Sequence, residues 1–276
     1  MEAPLQEALT EGVPCAIFGR EVIVARTPGR TLVLALAALV PALAAGAQEL
    51  STFLSAPPPP GSWAKYRIET RGTDWTKRRP FNLAVTGKEP RENVPHVYVE
   101  AGPTKFAGYH DGTLRLLLKA APSPEEGLNP FLTAQEVAYA KKDGETFRLS
   151  DGALGFLHRQ AAEVKTSRTA EELGEEPVVA LRGKTYACKK VRLATTTEAS
   201  FLGDHYKVVE TGTYWLSEEA PFKVVKAEIE RRETRDGKEK VRHITISLKV
   251  DGLEGAPTAF PRPVTQEKGL LGLLFQ

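Results

Sequence analysis

Apolar and polar residues alternate along much of this chain, and the pattern is clearest near the C-terminal end. In "HITISLKV", residues 243–250, aliphatic residues occupy every second position and polar residues the positions between them. A period of two predicts a β-strand with one buried and one solvated face, which is typical of antiparallel sheets. Similar segments recur on both sides of the middle of the chain, with Asp111-Gly112 and Asp236-Gly237 as predicted hairpin turns.

Two segments in the middle of the chain depart from this alternation and predict helices. In the first, Asn129 is a predicted N-cap, Pro130 takes the first helical position and "FLTAQEVAYAKK" continues the helix. In the second, which Asp151 opens, apolar residues recur at the spacing of one helical face. The acidic "EELGEEP", residues 171–177, predicts a loop. The fold class that we expect is mainly β (α+β): a curved antiparallel sheet or half-barrel of about nine or ten strands, with two helices inserted midway.

The most hydrophobic run, "TLVLALAALVPALAAGAQ", lies at residues 31–48. Its uncharged part is shorter than the roughly 20 residues that span a bilayer. Arg26 and Arg30 precede the run and Ala45-Gly46-Ala47 closes it, a combination typical of a secretory signal peptide. We therefore predict cleavage after Ala47, a periplasmic or secreted location, and no transmembrane span in the mature protein. Because acidic residues precede the run, we also predict a natural start near Val22 or Val24.

The rest of the chain divides by composition. Residues 1–47 are the N-terminal extension and signal peptide, residues 48–61 a Pro-rich tether, residues 62–255 a single β-rich domain, and residues 256–276 a Pro-rich segment with an apolar tail. The tail ends in "GLLGLLFQ", and we expect it to dock on the sheet, because in water it would expose an adhesive patch. The alternative is a tail that binds a membrane surface or a protein partner.

Charge and motifs narrow the function classes. The formal net charge is only +2 and no strongly basic block occurs, which disfavours nucleic-acid binding. Cys188 is the only cysteine after Ala47, so we expect a buried apolar side chain there. His110-Asp111 and Asp204-His205 are neighbours in sequence, but adjacent residues of a strand point to opposite faces and form no dyad. We find no metal-ligand spacing and no hydrolase or nucleotide motif, so we predict a protein that is not an enzyme and uses no cofactor or metal.

Aromatic side chains are the more suggestive feature. Several lie on or near predicted strands, and on one concave face they would line an apolar cavity. The candidate ligand-binding residues are Trp63, Tyr66, Trp215 and Ile246. The alternative is ordinary core packing, because strands favour aromatic residues in any case.

Two segments resemble exported proteins of the periplasmic outer-membrane lipoprotein-carrier superfamily. One is "GKTYACKKVRL", residues 183–193, a turn that enters a strand with a central cysteine. The other is "GTYWLSEEAPFKVVKAEIE", residues 212–230, in which a strand ends at Trp215 and an acidic turn with Pro221 leads to a return strand. The resemblance implies a strongly curved antiparallel half-barrel with an apolar concave side. In the carriers, that side holds lipoprotein acyl chains.

These observations lead to two functional hypotheses. The first is a non-enzymatic exported envelope protein that binds a lipidic or lipoprotein-like ligand in the half-barrel. The alternative is a structural or protein-interaction module of the cell envelope, whose sheet and apolar C-terminal tail meet an envelope protein. The two are separated by whether the concave face is open or filled by the protein's own side chains, since fold does not establish function.

Overall fold

The computed structural model of this protein describes residues 50–54, 56–201, 204–235, 237–260 and 263–274. The predicted signal peptide, its cleavage site and the predicted start near Val22 lie outside these ranges.

Strands dominate the described chain. The elements are β1 (Trp63–Arg71), β2 (Thr76–Arg91), β3 (Val94–Phe106), β4 (Tyr109–Lys119), α1 (Pro124–Leu128), β5 (Glu136–Ala140), β6 (Thr146–Leu149), α2 (Asp151–Ala162), β7 (Lys165–Val179), β8 (Thr185–Phe201), β9 (Asp204–Leu216), β10 (Val224–Arg235), β11 (Lys238–Gly252), β12 (Glu267–Lys268) and α3 (Leu270–Leu274). Leu50 and Ser51 are also helical.

All of these strands belong to one sheet, which is open and curved into a half-barrel. Its order is β12-β6-β5-β4-β3-β2-β1-β11-β10-β9-β8-β7. Every neighbouring pair is antiparallel except β12 and β6, which are parallel. The predicted fold class is thus confirmed, with twelve strands in the described ranges rather than nine or ten. The order follows from successive hairpins on either side of the β1–β11 pair.

The first predicted helix is wrong. The short helix α1 ends before Asn129, and its N-cap is Ser123, which forms a capping box with Glu126. Much of the predicted helix is instead strand β5, in which four consecutive residues, 137–140, are buried. A strand covered on both faces has a continuous apolar run, and periodicity alone cannot distinguish such a run from a buried helix.

The segment predicted as an acidic loop is also a strand. "EELGEEP" lies in β7, the outermost strand on one side of the sheet, and β7 is mostly exposed. A bulge interrupts its pairing with β8 between Glu172 and Gly174. Charged residues, a bulge and a proline are typical of an edge strand, because they discourage pairing with another chain. An edge strand with these features lacks the alternation that identified the inner strands.

One of the two predicted hairpin turns is misplaced. The β3–β4 turn is at Ala107-Gly108, where both residues have positive φ and Phe106 pairs with Tyr109. Gly112 lies inside β4, where a Cβ atom would be 2.3 Å from the carbonyl oxygen of Ala140. The β10–β11 hairpin is as predicted: Arg235 pairs with Lys238 around Gly237, although Asp236 itself lies outside the described residues.

The second predicted helix, α2, is confirmed from Asp151 to Ala162, with Ser150 as its N-cap. It buries Ala153, Leu157 and Ala161 against the inner face of the sheet, which is the face that carries Tyr66 and Ile246. The main hydrophobic core lies between this face and the elements that cover it. These are α2, residues 50–54, the β9–β10 loop with Phe222, and α3 with Leu273.

The C-terminal segment wraps around one edge of the sheet. Phe260 and Val264 pack on the outer face against Ala138 and Ala140 of β5. The chain then pairs with β6 as β12 and enters the inner core through Leu273. The apolar tail is therefore docked on the sheet in this structure.

Buried polar contacts attach the same segment to the outer face. The carboxylate of Glu100 accepts hydrogen bonds from Thr258 Oγ1 at 2.6 Å and from the Ala259 amide at 2.8 Å. The guanidinium of Arg115 lies 4.6 Å from the centre of the Phe260 ring and bonds Glu136 at 2.7 Å. The outer face of β3–β5 is thus covered by the protein's own chain.

Candidate ligand site on the inner face of the sheet

The inner face is built from transverse rows of side chains, because paired residues of neighbouring strands project from the same face. The first row is Ile68, Ile246, Ala227, Tyr214 and Val191. Two residues further along the strands, the second row is Thr70, Ile244, Ile229, Gly212 and Leu193. On these five strands both rows are predominantly apolar and extend the apolar surface that begins at Tyr66, whereas on β2 the same two rows continue to Arg79 and Lys77.

The third row is charged. It consists of Arg242, Arg231, Glu210, Thr195 and Arg168 on β11 to β7. Glu210 is only 5 % exposed, and its carboxylate lies 2.5 Å from the guanidinium of Arg231. Arg242 bonds Glu233 of the next row at 3.1 Å. Along the strands, the inner face therefore changes from an apolar half to a half with buried ion pairs.

Arg168 differs from the other arginines of this row. Its Nε donates to Thr195 Oγ1 at 3.1 Å and its Nη2 to Ser51 Oγ at 3.0 Å. In the described part of the chain no carboxylate forms an ion pair with it. Burial lowers the pKa of its guanidinium, and the nearby charges of Tyr214 and Glu210 oppose this shift only in part. Arg168 is thus a half-buried cation whose side-chain hydrogen bonds to described residues go to hydroxyl groups.

Residues 50–54 occupy the inner face beside Arg168, and we call them the plug segment. Its hydroxyl groups meet the polar end of the face: Ser51 bonds Arg168, and Thr52 bonds Tyr214. Its apolar side chains lie in the core, where the Phe53 ring centre is 4.9 Å from that of Tyr66 and 5.6 Å from that of Phe81. The plug segment is therefore amphipathic: Ser51 lies toward the charged row of the inner face, and Phe53 lies toward its apolar rows.

The inner face is filled rather than hollow. Leu50, Phe53 and Leu54 of the plug segment are all nearly inaccessible to solvent, and so is Tyr66 beneath them. The Tyr66 hydroxyl is buried without a hydrogen-bond partner. A cavity of about 190 Å³ does exist, but it is on the outer face, between Trp63, Glu100 and residues 257–259. The open apolar cavity expected from the sequence is thus occupied by the protein's own side chains.

The four predicted site residues do not lie together. Tyr66 and Ile246 are buried on the inner face, on the paired strands β1 and β11. Trp63 lies on the outer face, where its Nε1 donates to the carbonyl oxygen of Glu254 at 2.9 Å. A spacing of three residues puts Trp63 and Tyr66 on opposite faces of one strand, which the sequence could have indicated.

Trp215 is buried in the same hydrophobic cluster as Tyr66 and Ile246, but it lies on β9, two strands away from Ile246. It faces away from Tyr214, and its ring lies between the ammonium groups of Lys190 and Lys226, 5.3 and 4.5 Å from the ring centre. Its Nε1 donates to the carboxylate of Glu176. Trp63 and Trp215 are therefore not adjacent to Tyr66 and Ile246 in one site.

The charged row was missed in the sequence analysis. Arg231 follows Ala227 and Ile229 at intervals of two, so it lies in the inward phase of β10. A charged residue in the buried phase of a strand was the available signal for this row. For Arg168 the sequence carried no comparable signal, because β7 shows no apolar alternation around it.

Catalytic groups do not converge on this face. His110 is exposed, and His205 lies 3.0 Å from Ser200 Oγ at an exposed end of the β8–β9 pair rather than in a cleft. Cys188 is buried, and burial raises the pKa of its thiol. Within the described ranges, no cluster of three potential metal ligands occurs. Nor does any described helix have the length and apolar character to cross a membrane.

No family model matches this sequence, and no curated protein matches it. Among solved structures, a protein of Bacteroides fragilis described as exported, with a YmcC-like fold, has a TM-score of 0.34 and 11% identity, over 71% of this chain and 98% of that chain. A protein of Parabacteroides distasonis described as a lipoprotein has a TM-score of 0.33 and 12% identity, with the same coverage of 71% and 98%.

A domain of Vibrio parahaemolyticus described as an outer membrane lipoprotein-sorting protein has a TM-score of 0.28 and 8% identity, over 79% of this chain and 95% of that chain. The chain thus has remote structural similarity to exported proteins and to one lipoprotein-sorting domain. These similarities are remote, and they say nothing about a ligand of this protein.

Proposed function

We propose that this protein is a non-enzymatic, exported binding protein that holds the apolar chain of a lipid or lipoprotein on the inner face of its sheet. The observation that carries the proposal is the plug segment. Five residues outside the sheet lie on the inner face and, together with α2, Phe222 and Leu273, cover its apolar half through side-chain packing and hydroxyl contacts. A ligand chain would take the place of this segment and cover the same surface.

The exchange is energetically reasonable. Burial of an acyl chain contributes about 0.8 kcal/mol per CH2 group, so ten methylenes supply about 8 kcal/mol. Displacement of the plug segment exposes Leu50, Phe53 and Leu54, at about 1.5–3 kcal/mol each, but it also restores the conformational freedom of five residues. The ligand therefore competes with a short segment rather than with a strand of the sheet.

The proposal is tested by titration with a neutral monoacylglycerol, followed by native mass spectrometry. We expect the wild-type protein to form a one-to-one complex, and Phe53→Ala to bind about thirtyfold more tightly, because loss of about 2 kcal/mol of docking energy removes the competition from the plug segment. Phe260→Ala is the matched control, since this ring packs on the outer face and its loss leaves the inner face unchanged. If neither the wild type nor Phe53→Ala binds the probe, the protein is not a carrier of apolar chains.

The filled inner face favours a second candidate, a structural or protein-interaction module of the cell envelope. In that case the plug segment is a permanent part of the core, and a partner is bound elsewhere. A partner that uses the apolar tail has to displace Leu273 from the core first. Deletion of residues 269–276 separates the two candidates: loss of partner capture with intact lipid uptake favours a module that uses the tail, whereas intact partner capture by the shortened protein argues against it.

A further inference from the structure

The position of Arg168 points to the chemistry of the ligand's polar end. This guanidinium lies in the charged row, at the boundary of the apolar half of the inner face. In the same row and the next one, Glu210 is paired with Arg231, and Glu233 with Arg242. Within the described residues, Arg168 is the arginine of this row that forms no ion pair with a carboxylate, although the charge of Glu210 acts on it from a distance.

The present partner of Arg168 is part of the plug segment. Its Nη2 bonds the hydroxyl of Ser51, two residues before the phenyl ring that packs on Tyr66. If a ligand chain replaces the plug segment, this nitrogen loses its partner while the guanidinium stays on the inner face. A half-buried guanidinium nitrogen that loses its acceptor is unfavourable, so a ligand that supplies an acceptor there is favoured. Guanidinium binds phosphate and carboxylate oxygens best, because its planar fork offers two parallel donors.

Resting on the proposed function, we propose that Arg168 binds the anionic headgroup of an amphiphile whose apolar chain replaces the plug segment on the inner face. Phosphate and carboxylate headgroups share this chemistry. Ser51 stands in for the headgroup in the ligand-free protein, and Phe53 for part of the chain. The site thus takes acidic lipids in preference to neutral ones.

The test compares two probes that differ only in the phosphate: palmitoyl lysophosphatidic acid and monopalmitoylglycerol. We expect wild-type protein to bind the phosphate probe about tenfold more tightly, as charge-assisted bonding to one arginine allows. Arg168→Gln removes this preference and leaves the affinity for monopalmitoylglycerol unchanged, whereas Arg168→Lys retains part of it. Arg192→Gln is the matched control, because Arg192 loses the same charge on the adjacent strand β8 but pairs with Glu171 at the surface.

The outcomes separate this inference from the proposed function. The headgroup site is overturned if the wild-type protein binds the two probes with equal affinity, or if Arg168→Gln loses the same factor of affinity for both probes. Either result leaves the binding of apolar chains intact. Absence of binding of either probe to the wild type and to Phe53→Ala overturns the proposed function itself. If Arg168→Gln does not fold, as thermal unfolding would reveal, the wild-type preference between the probes and the Arg168→Lys variant decide the question.

Discussion

Replacement of Phe53 by alanine measures how firmly the plug segment is held. Phe53 is 2% exposed, and its ring contacts Tyr66 and Phe81 on the inner face. Phe81, which is 1% exposed, is a matched control because its ring lies in the same cluster but belongs to strand β2. The two substitutions remove the same atoms from the same part of the core, and they differ in whether the residue belongs to the sheet.

The expected changes in the free energy of unfolding follow from the free energy with which the plug segment docks on the sheet. Burial of the three apolar side chains of the plug segment stabilises docking by about 7 kcal/mol in total. Ordering five residues opposes docking by about 7 kcal/mol, and the hydroxyl contacts of Ser51 and Thr52 add about 2 kcal/mol. The plug segment is therefore docked by about 2 kcal/mol.

Phe53→Ala removes more than this docking energy, so the plug segment leaves the sheet. Because the sheet itself stays folded, the free energy of unfolding falls by no more than about 2 kcal/mol. Phe81→Ala leaves a cavity in the core beside the sheet and lowers the free energy of unfolding by about 3–5 kcal/mol. Urea denaturation gives both values, and limited proteolysis between Leu50 and Ser62 reports undocking. Equal losses for the two variants, with Leu50–Ser62 still protected, would show that the plug segment is an integral part of the core and would refute the displacement argument.

Three further predictions concern the parts of the fold that surround the site. Glu100→Ala removes the acceptor for Thr258 and is expected to weaken docking of the C-terminal segment by about 3 kcal/mol, seen as faster protease cleavage within residues 256–266. Gly112→Ala places a Cβ atom 2.3 Å from the Ala140 oxygen and is expected to lower the free energy of unfolding by about 3 kcal/mol in urea denaturation, whereas a neutral result would mean that β4 and β5 can separate. Cys188 is buried and its thiol pKa is raised by burial, so iodoacetamide should modify it in urea but not in the native protein, as peptide mass spectrometry can measure.

The C-terminal segment on the outer face explains why the sequence analysis predicted a helix where strand β5 lies. Residues 137–140 of β5 are all buried because the C-terminal segment covers one side of the strand and the core lies on the other. The residues that cover β5, Phe260 and Val264, come more than 100 positions later in the chain. These two residues lie outside any short stretch of sequence around β5. The apolar run of β5 was therefore equally compatible with a helix.

Local patterns of the sequence did determine most elements of this protein. Alternation of residue types indicated the antiparallel strands, Asp236-Gly237 indicated the last hairpin, and the apolar stripe after Asp151 indicated α2. These features depend on residues within a few positions of each other, where the periods of strand and helix apply directly. The sequence also placed Tyr66 and Ile246 in the buried phase of their strands.

Only the tertiary structure decided what the inner face of the sheet contains. Arg168 and Ser51 are 117 positions apart, and the charged row joins residues of five strands. Whether a half-barrel is open, or filled by a segment from elsewhere in the chain, depends on packing between such distant residues, which no local period encodes. The sequence determined that this protein forms a curved sheet with an apolar side, and the tertiary packing decided that a short amphipathic segment covers that side beside Arg168, which forms no ion pair among the described residues.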